Sequence, residues 1–99
     1  MLKYWIWLST REGVNNVQSM ALLSRFGSAE AVYQADEDAL KTSPDDQVPP
    51  SLLNKDLMGA EIILQQCYQK SIHIMTIQDA SYPGRLRAIA DPPIVLYYK

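Results

Sequence analysis

Few residues of this sequence carry side chains that could do chemistry, and each stands or falls with the partners its neighbours supply. His73 is the single histidine, and acid–base work or metal ligation by an imidazole needs a second titratable or ligating group at a defined spacing. No cysteine or second histidine accompanies it, so an ordinary strand residue is the better reading. Cys67 is the single cysteine, which excludes an internal disulfide and a cysteine-based zinc site. It falls on an apolar helical stripe, where a thiol behaves as a small hydrophobe. Carboxylates gather at Asp36, Glu37 and Asp38 and again at Asp45 and Asp46. The first three suit the positive end of a helix and the last two a turn, while the ligand intervals and central glycine of a calcium loop are absent. Trp5, Trp7, Tyr97 and Tyr98 could stack on bases, but packing in a core or against a neighbouring domain is favoured. Arg85 and Arg87 make the densest local positive charge. With no nucleophile beside a base, no metal cluster and no nucleotide loop, the sequence predicts a protein that is not an enzyme and holds no cofactor.

Charge sets a second limit. The 99 residues carry nine Lys and Arg and a formal net charge of −2. The nine lie at Lys3, Arg11, Arg25, Lys41, Lys55, Lys70, Arg85, Arg87 and Lys99, almost evenly spaced. A protein that neutralises many phosphates concentrates its cations on one face, so this spread argues against strong nucleic-acid binding by these residues alone. A hydrophobic content of 47% with 20% charged residues is that of an ordinary globular chain. No stretch reaches the roughly 18 apolar residues of a spanning helix, and MLKYWIWL is too short for a secretory core. A lone cysteine fits a reducing compartment. The expectation is a cytoplasmic protein with no membrane partner.

The elements that must position these residues are mostly helical. Leu2 to Ser9 reads as a short helix with Leu2, Trp5 and Leu8 on one stripe, although the alternation of Tyr4, Ile6 and Leu8 would also suit a strand. Asn15 or Asn16 is a good N-cap for a second helix, whose predicted buried face is Val17, Met20, Leu23 and Phe26. Gly27 suits a left-handed cap, and Ser28 starts a helix over Ala29 to Gln34. Asp36 starts another. Thr42 to Pro50, with three prolines and two aspartates, predicts a loop. From Ser51 to about Lys70 the positions Leu53, Leu57, Ala60, Leu64 and Cys67 predict the longest helix, within which Gly59 suggests close packing against a neighbour.

At Ser71 the period changes. Ile72 to Ile77 alternates as a strand, Pro83 opens a short helix bearing Leu86 and Ile89, and Ile94 to Tyr98 reads as a strand buried in a sheet. Strand, helix, strand in that order predicts a right-handed crossover with the two strands parallel. Since a two-stranded sheet is marginal in water, the expectation is that an α/β domain begins here and is cut short at Lys99.

The run Asp79-Ala80-Ser81-Tyr82-Pro83-Gly84-Arg85-Leu86 followed by Asp91-Pro92-Pro93-Ile94-Val95-Leu96-Tyr97 resembles the signature of the DprA/Smf family of bacterial DNA-processing proteins. That signature reads D-x-x-Y-P-x-x-L, then D-P-P and a V-L-Y strand. Upstream, Leu22-Leu23-x-x-Phe26-Gly27-Ser28-x-Glu30-Ala31-Val32 is similar to the family's L-L-x-x-F-G-S-x-E-A-V segment. The resemblance covers nearly the whole chain. It implies a mainly α fold, with residues 1–71 a helical domain similar to sterile-alpha-motif (SAM) or helix-hairpin-helix folds and residues 72–99 the first β-α-β elements of a truncated Rossmann-like domain. It further implies a role in natural transformation and DNA recombination, in which the family's Rossmann-like domain binds single-stranded DNA and helps load the RecA recombinase. The phosphate-binding G-S-R segment of that domain is expected a few residues beyond Lys99.

Helix-hairpin-helix turns hold backbone phosphate through a G-x-G pattern whose small residues let main-chain amides approach the anion. Here the place reads Glu12-Gly13-Val14-Asn15-Asn16, so Gly13 stays and the second glycine is an asparagine. Gly13, Asn15 and Asn16 are thus weak candidates for phosphate contact, with a plain capping turn as the competing reading. Arg85 and Arg87 are candidates for the edge of a DNA groove that a further domain would complete, against two solvated arginines. The predicted role is an accessory domain that assists single-stranded DNA handling. The alternative is a protein-interaction module that contacts a regulatory partner and binds no nucleic acid itself.

Overall fold

The computed structural model describes residues 2–41 and 47–99. Its elements follow in the order α1 (Leu2–Ser9), α2 (Asn16–Phe26), α3 (Ala29–Gln34), α4 (Glu37–Leu40), a 3-10 turn (Pro50–Leu53), α5 (Met58–Gln69), β1 (His73–Thr76), α6 (Gly84–Arg87) and β2 (Val95–Tyr98). The protein is mainly helical, with a short two-stranded sheet at one end.

α1 lies at the centre. Trp5, Ile6, Trp7 and Leu8 are all buried, while Leu2 is exposed, so the expected single stripe gives way to a helix covered nearly all round. A helix this apolar on every side is stable only inside a fold. It packs on α2, α3, α5 and β2.

Short polar residues delimit the helices that surround it. Asn15 is the cap of α2: its Oδ1 accepts the Gln18 amide at 2.8 Å, and Gln18 Oε1 accepts the Asn15 amide at 2.9 Å. Two otherwise orphaned donors are satisfied by this exchange. Gly27 closes α2 at a φ of 92°, a left-handed conformation that suits glycine. Ser28 and Asp36 cap α3 and α4 through bonds to the Ala31 and Ala39 amides. Along α2 the buried residues are Ser19 and Leu23, and Val17, expected inside, is 55% exposed.

The helix expected from Ser51 to Lys70 is divided. A 3-10 turn ends at Leu53, and α5 begins only at Met58. Between them the Asn54 carboxamide accepts the Asp56 amide and the Asp56 carboxylate accepts the Met58 amide. Such local side-chain acceptors offer the backbone an alternative to helical bonding. Within α5 the stripe survives, with Ala60 and Cys67 buried and Leu57 and Leu64 packed on the core. Gly59 has open space where a Cβ would stand, so the expected close approach is not present. Of the predicted loop from Thr42 to Pro50, residues 42–46 lie outside the described residues, and Gln47 to Pro49 form no regular element.

The two strands are antiparallel, with His73 opposite Tyr98 and Thr76 opposite Val95. This corrects the expected parallel crossover. A crossover returns to the strand's starting end, usually through a helix laid along the sheet. Here α6 is a single turn, and the Ile77 amide donates to the Ile94 carbonyl at 2.9 Å, extending the ladder into a long hairpin. Ile94 and Val95 are buried, but Tyr97 and Tyr98 are each 46% exposed, so β2 is covered at one end only. Ile77, Tyr82, Ile94 and Val95 join the same hydrophobic cluster as α1.

Candidate functional site

The turn between α1 and α2 keeps Gly13, Asn15 and Asn16 together. Gly13 has a φ of 78° with nothing within 4 Å of a Cβ built on it, so the left-handed backbone, and not lack of room, is what asks for glycine. The neighbouring Glu12 carbonyl accepts the Ser51 hydroxyl at 2.6 Å, which ties the turn to the 3-10 segment. At Asn15 both the amide and the carboxamide oxygen are engaged with Gln18. A phosphate approaching this helix start meets an amide already bonded and a side-chain oxygen that repels it.

Arg85 and Arg87 lie two residues apart on α6 and therefore point to different sides. Both are exposed. Arg87 is nevertheless anchored, since its Nη2 donates to the carbonyls of Ile77 at 2.8 Å and Asp79 at 3.0 Å, and its guanidinium lies 5.3 Å from the Tyr82 ring centre. Arg85 makes no hydrogen bond with the described residues. Arg87 borders the middle of α2 at Met20, Leu23 and Ser24, whereas the Gly13 turn is tied to Ser51. The structure thus brings the three turn residues together and leaves the two arginines elsewhere.

Most of the remaining cations serve the chain itself. Arg25 donates from Nη1 to the Leu40 carbonyl and from Nη2 to the Ala39 and Lys41 carbonyls, capping the negative end of α4. Arg11 donates from Nε to the Trp7 carbonyl at 2.9 Å and from Nη1 to the Ser51 carbonyl at 3.1 Å. Lys55 donates to the Ala35 carbonyl at 3.1 Å. Removal from water lowers the affinity of both Arg11 and Lys55 for their protons; for Lys55 the charge of Arg11 adds to this and Asp36 partly offsets it, while Asp56 and Glu12 act against it at Arg11. Lys41 pairs with Glu37 at 3.6 Å. Of the cations, Arg11, Arg25, Lys55 and Arg87 are thus tied to main-chain carbonyls of the fold itself.

The run from Asp79 to Tyr98 is held by its own polar residues. Asp79 Oδ2 accepts the Thr76 amide at 2.8 Å, and the Tyr82 hydroxyl donates to the Pro93 carbonyl at 2.7 Å. Tyr82 is 3% exposed, and burial pushes its phenol above the usual tyrosine range against an opposing effect of Arg87. Together with Arg87 these bonds draw the ends of the hairpin loop together. None of them points a reactive group at an open cleft.

Sequence reasoning did not single out Arg11, Arg25, Tyr33 or Lys55 as clamps, because their partners are main-chain carbonyls 15 to 40 residues away. Among the described residues, no three His, Cys, Asp or Glu side chains gather as a metal site, and no helix is long and apolar enough to cross a membrane. An apolar cavity of about 210 Å³ opens between α2, Leu40 and Val48 to Leu52. No family model matches the chain, and no curated protein or solved structure matches it.

Proposed function

We propose that this chain is an accessory region of a DNA-processing protein of the DprA/Smf kind, serving single-stranded DNA handling and RecA loading inside the cell without gripping DNA or catalysing a reaction itself. The observation that carries the family reading is the hairpin network. Asp79, Tyr82 and Pro93, which supply the most specific letters of the resemblance, are bonded to one another's neighbourhood within a single loop, so their spacing has a folding reason. The finer expectation, a SAM or helix-hairpin-helix unit leading into a Rossmann-like domain, belongs to this proposal too. Its strand order must accommodate an antiparallel first pair.

The accessory character rests on the cations. Arg11, Arg25, Lys55 and Arg87 donate to main-chain carbonyls, and an interface that neutralises several phosphates needs such groups converging on one face. Fluorescence anisotropy with a single-stranded oligonucleotide at physiological salt should therefore detect weak binding or none. Sub-micromolar affinity would refute the reading.

A second reading, a protein-interaction module for a regulatory partner, is favoured by Met58 at 64%, Ile62 at 48% and Tyr68 at 87% exposure on α5. An NMR titration separates the two. Weak oligonucleotide-dependent shifts, seen only well above micromolar concentration, support the DNA role, and no shift at any residue at the highest oligonucleotide concentration supports the protein partner.

A further inference from the structure

Residues 53–56 cross over Trp7 between two apolar fixtures, the buried Leu52 and the half-buried Leu57. Leu53, Asn54 and Asp56 are exposed, so little apolar surface holds this crossing in place. Among the described residues, no backbone hydrogen bond joins it to α1 or α3. Its attachments are made by side chains: Trp7 Nε1 donates to the Asn54 carbonyl at 2.9 Å, Arg11 Nη1 to the same carbonyl at 3.3 Å, Tyr33 Oη to the Lys55 carbonyl at 2.6 Å, and Lys55 Nζ to the Ala35 carbonyl at 3.1 Å.

The centre of these attachments is a pair of like charges on one indole. The Arg11 guanidinium lies 5.0 Å and the Lys55 ammonium 5.2 Å from the Trp7 ring centre, and Lys55 is also 5.5 Å from the Tyr33 ring. Each cation gains from the ring faces, but both lose water and repel each other. Arg11 is anchored on the Ser51 and Trp7 carbonyls, whereas the Lys55 ammonium has a single hydrogen bond, to the Ala35 carbonyl, so Lys55 is the less firmly held of the two. The crossing keeps its own turn when it lifts, because the Asp56 and Met58 amides are bonded to Asn54 and Asp56 side chains.

We propose that residues 53–56 form a releasable strap, latched by Lys55 on Trp7 and Tyr33, which opens while the helices stay folded and uncovers the aromatic face they present. The reporter is the Trp7 indole proton, which belongs to a fully buried side chain yet donates to the strap. Hydrogen exchange followed by NMR on the full chain, corrected for intrinsic rates, should show this proton exchanging at least about tenfold faster than the backbone amides of Trp7 and Leu8. In Lys55→Met, which keeps the aliphatic stem, the indole proton should speed up by about a further tenfold with the α1 amides unchanged. Tyr33→Phe, which keeps the ring and removes one bond to the strap, should act in the same direction by a smaller factor. An indole proton that exchanges in step with the α1 amides overturns the strap. Variants that accelerate indole and amides alike overturn the latch.

Discussion

Replacing Arg87 by alanine should destabilise the fold far more than the same change at Arg85, two residues away. Arg87 loses two charge-assisted hydrogen bonds, to the Ile77 and Asp79 carbonyls, and its contact with the Tyr82 ring. Fully buried, each bond would contribute about 1.5–3 kcal/mol. The exposed guanidinium keeps much of its water, so the pair is taken near 1 kcal/mol with about 0.5 kcal/mol for the ring. The expected total is about 1.5 kcal/mol for Arg87→Ala, against less than about 0.5 kcal/mol for Arg85→Ala. Arg87→Lys should recover only part of the loss: both bonds come from the one nitrogen Nη2, which an ammonium can replace, but an ammonium does not reproduce the planar guanidinium's contact with the Tyr82 ring. Urea unfolding followed by circular dichroism, with unchanged slopes, measures all three. Equal losses at the two arginines would refute the assignment of Arg87 as a loop staple.

Asn15→Ala removes the acceptor of the Gln18 amide and should cost about 1 kcal/mol in the same assay, with no cost showing that the capping box is dispensable. Gly59→Ala, where a Cβ meets nothing within 4 Å, should stabilise by about 0.5–1 kcal/mol; a loss would mean that the backbone there is not helical in solution. Burial raises the Tyr82 phenol, so the folded state holds that proton more tightly than the unfolded one. Its contribution is fully present below the ordinary tyrosine value of about 10 and is lost as the pH rises through the folded value. Lys55, with its proton held less tightly in the fold, has the opposite sign and is common to wild type and Tyr82→Phe. Wild-type stability should therefore fall relative to that variant above pH about 10, and parallel curves would show that the buried phenol is not linked to folding.

Local signals in the sequence translate well into this fold where a short polar residue meets a chain reversal. Asn15, Gly27, Ser28 and Asp36 bound their helices as their chemistry predicts. Apolar periodicity did less. It placed Val17 inside, where it is exposed, because the face of α2 that meets the core is the one carrying Ser19. It also ran through Asn54 and Asp56, because a stripe records spacing and not the competition of side-chain oxygens for backbone amides. A parallel sheet is what element order alone predicts. What decides strand direction is the set of bonds across the loop, Ile77 to Ile94 and Tyr82 to Pro93, and these join residues whose pairing no periodicity encodes. The candidate turn at Gly13 was legible as a turn, but its occupancy by Gln18 depends on a reciprocal bond visible only once Asn15 is known to be the cap.

The cations carry the most general lesson. In sequence, even spacing of lysine and arginine distinguishes a dispersed surface from a basic tract, yet it leaves open whether folding gathers the charges. In the fold, Arg25 closes α4, Arg87 closes the hairpin loop, and Arg11 with Lys55 holds the crossing over Trp7. Each of these replaces a backbone donor that a short helix or irregular segment cannot provide, which is why long, forked or flexible cations appear where regular hydrogen bonding stops. A side chain spent in this way contributes to an external electrostatic field only weakly directed toward one face. The same substitution that weakens a clamp would thus test stability far more than affinity, and nucleic-acid binding by this region would have to draw on Lys3, Lys70, Arg85 and Lys99, whose side chains form no hydrogen bond or ion pair among the described residues, in contrast to Lys41 on Glu37.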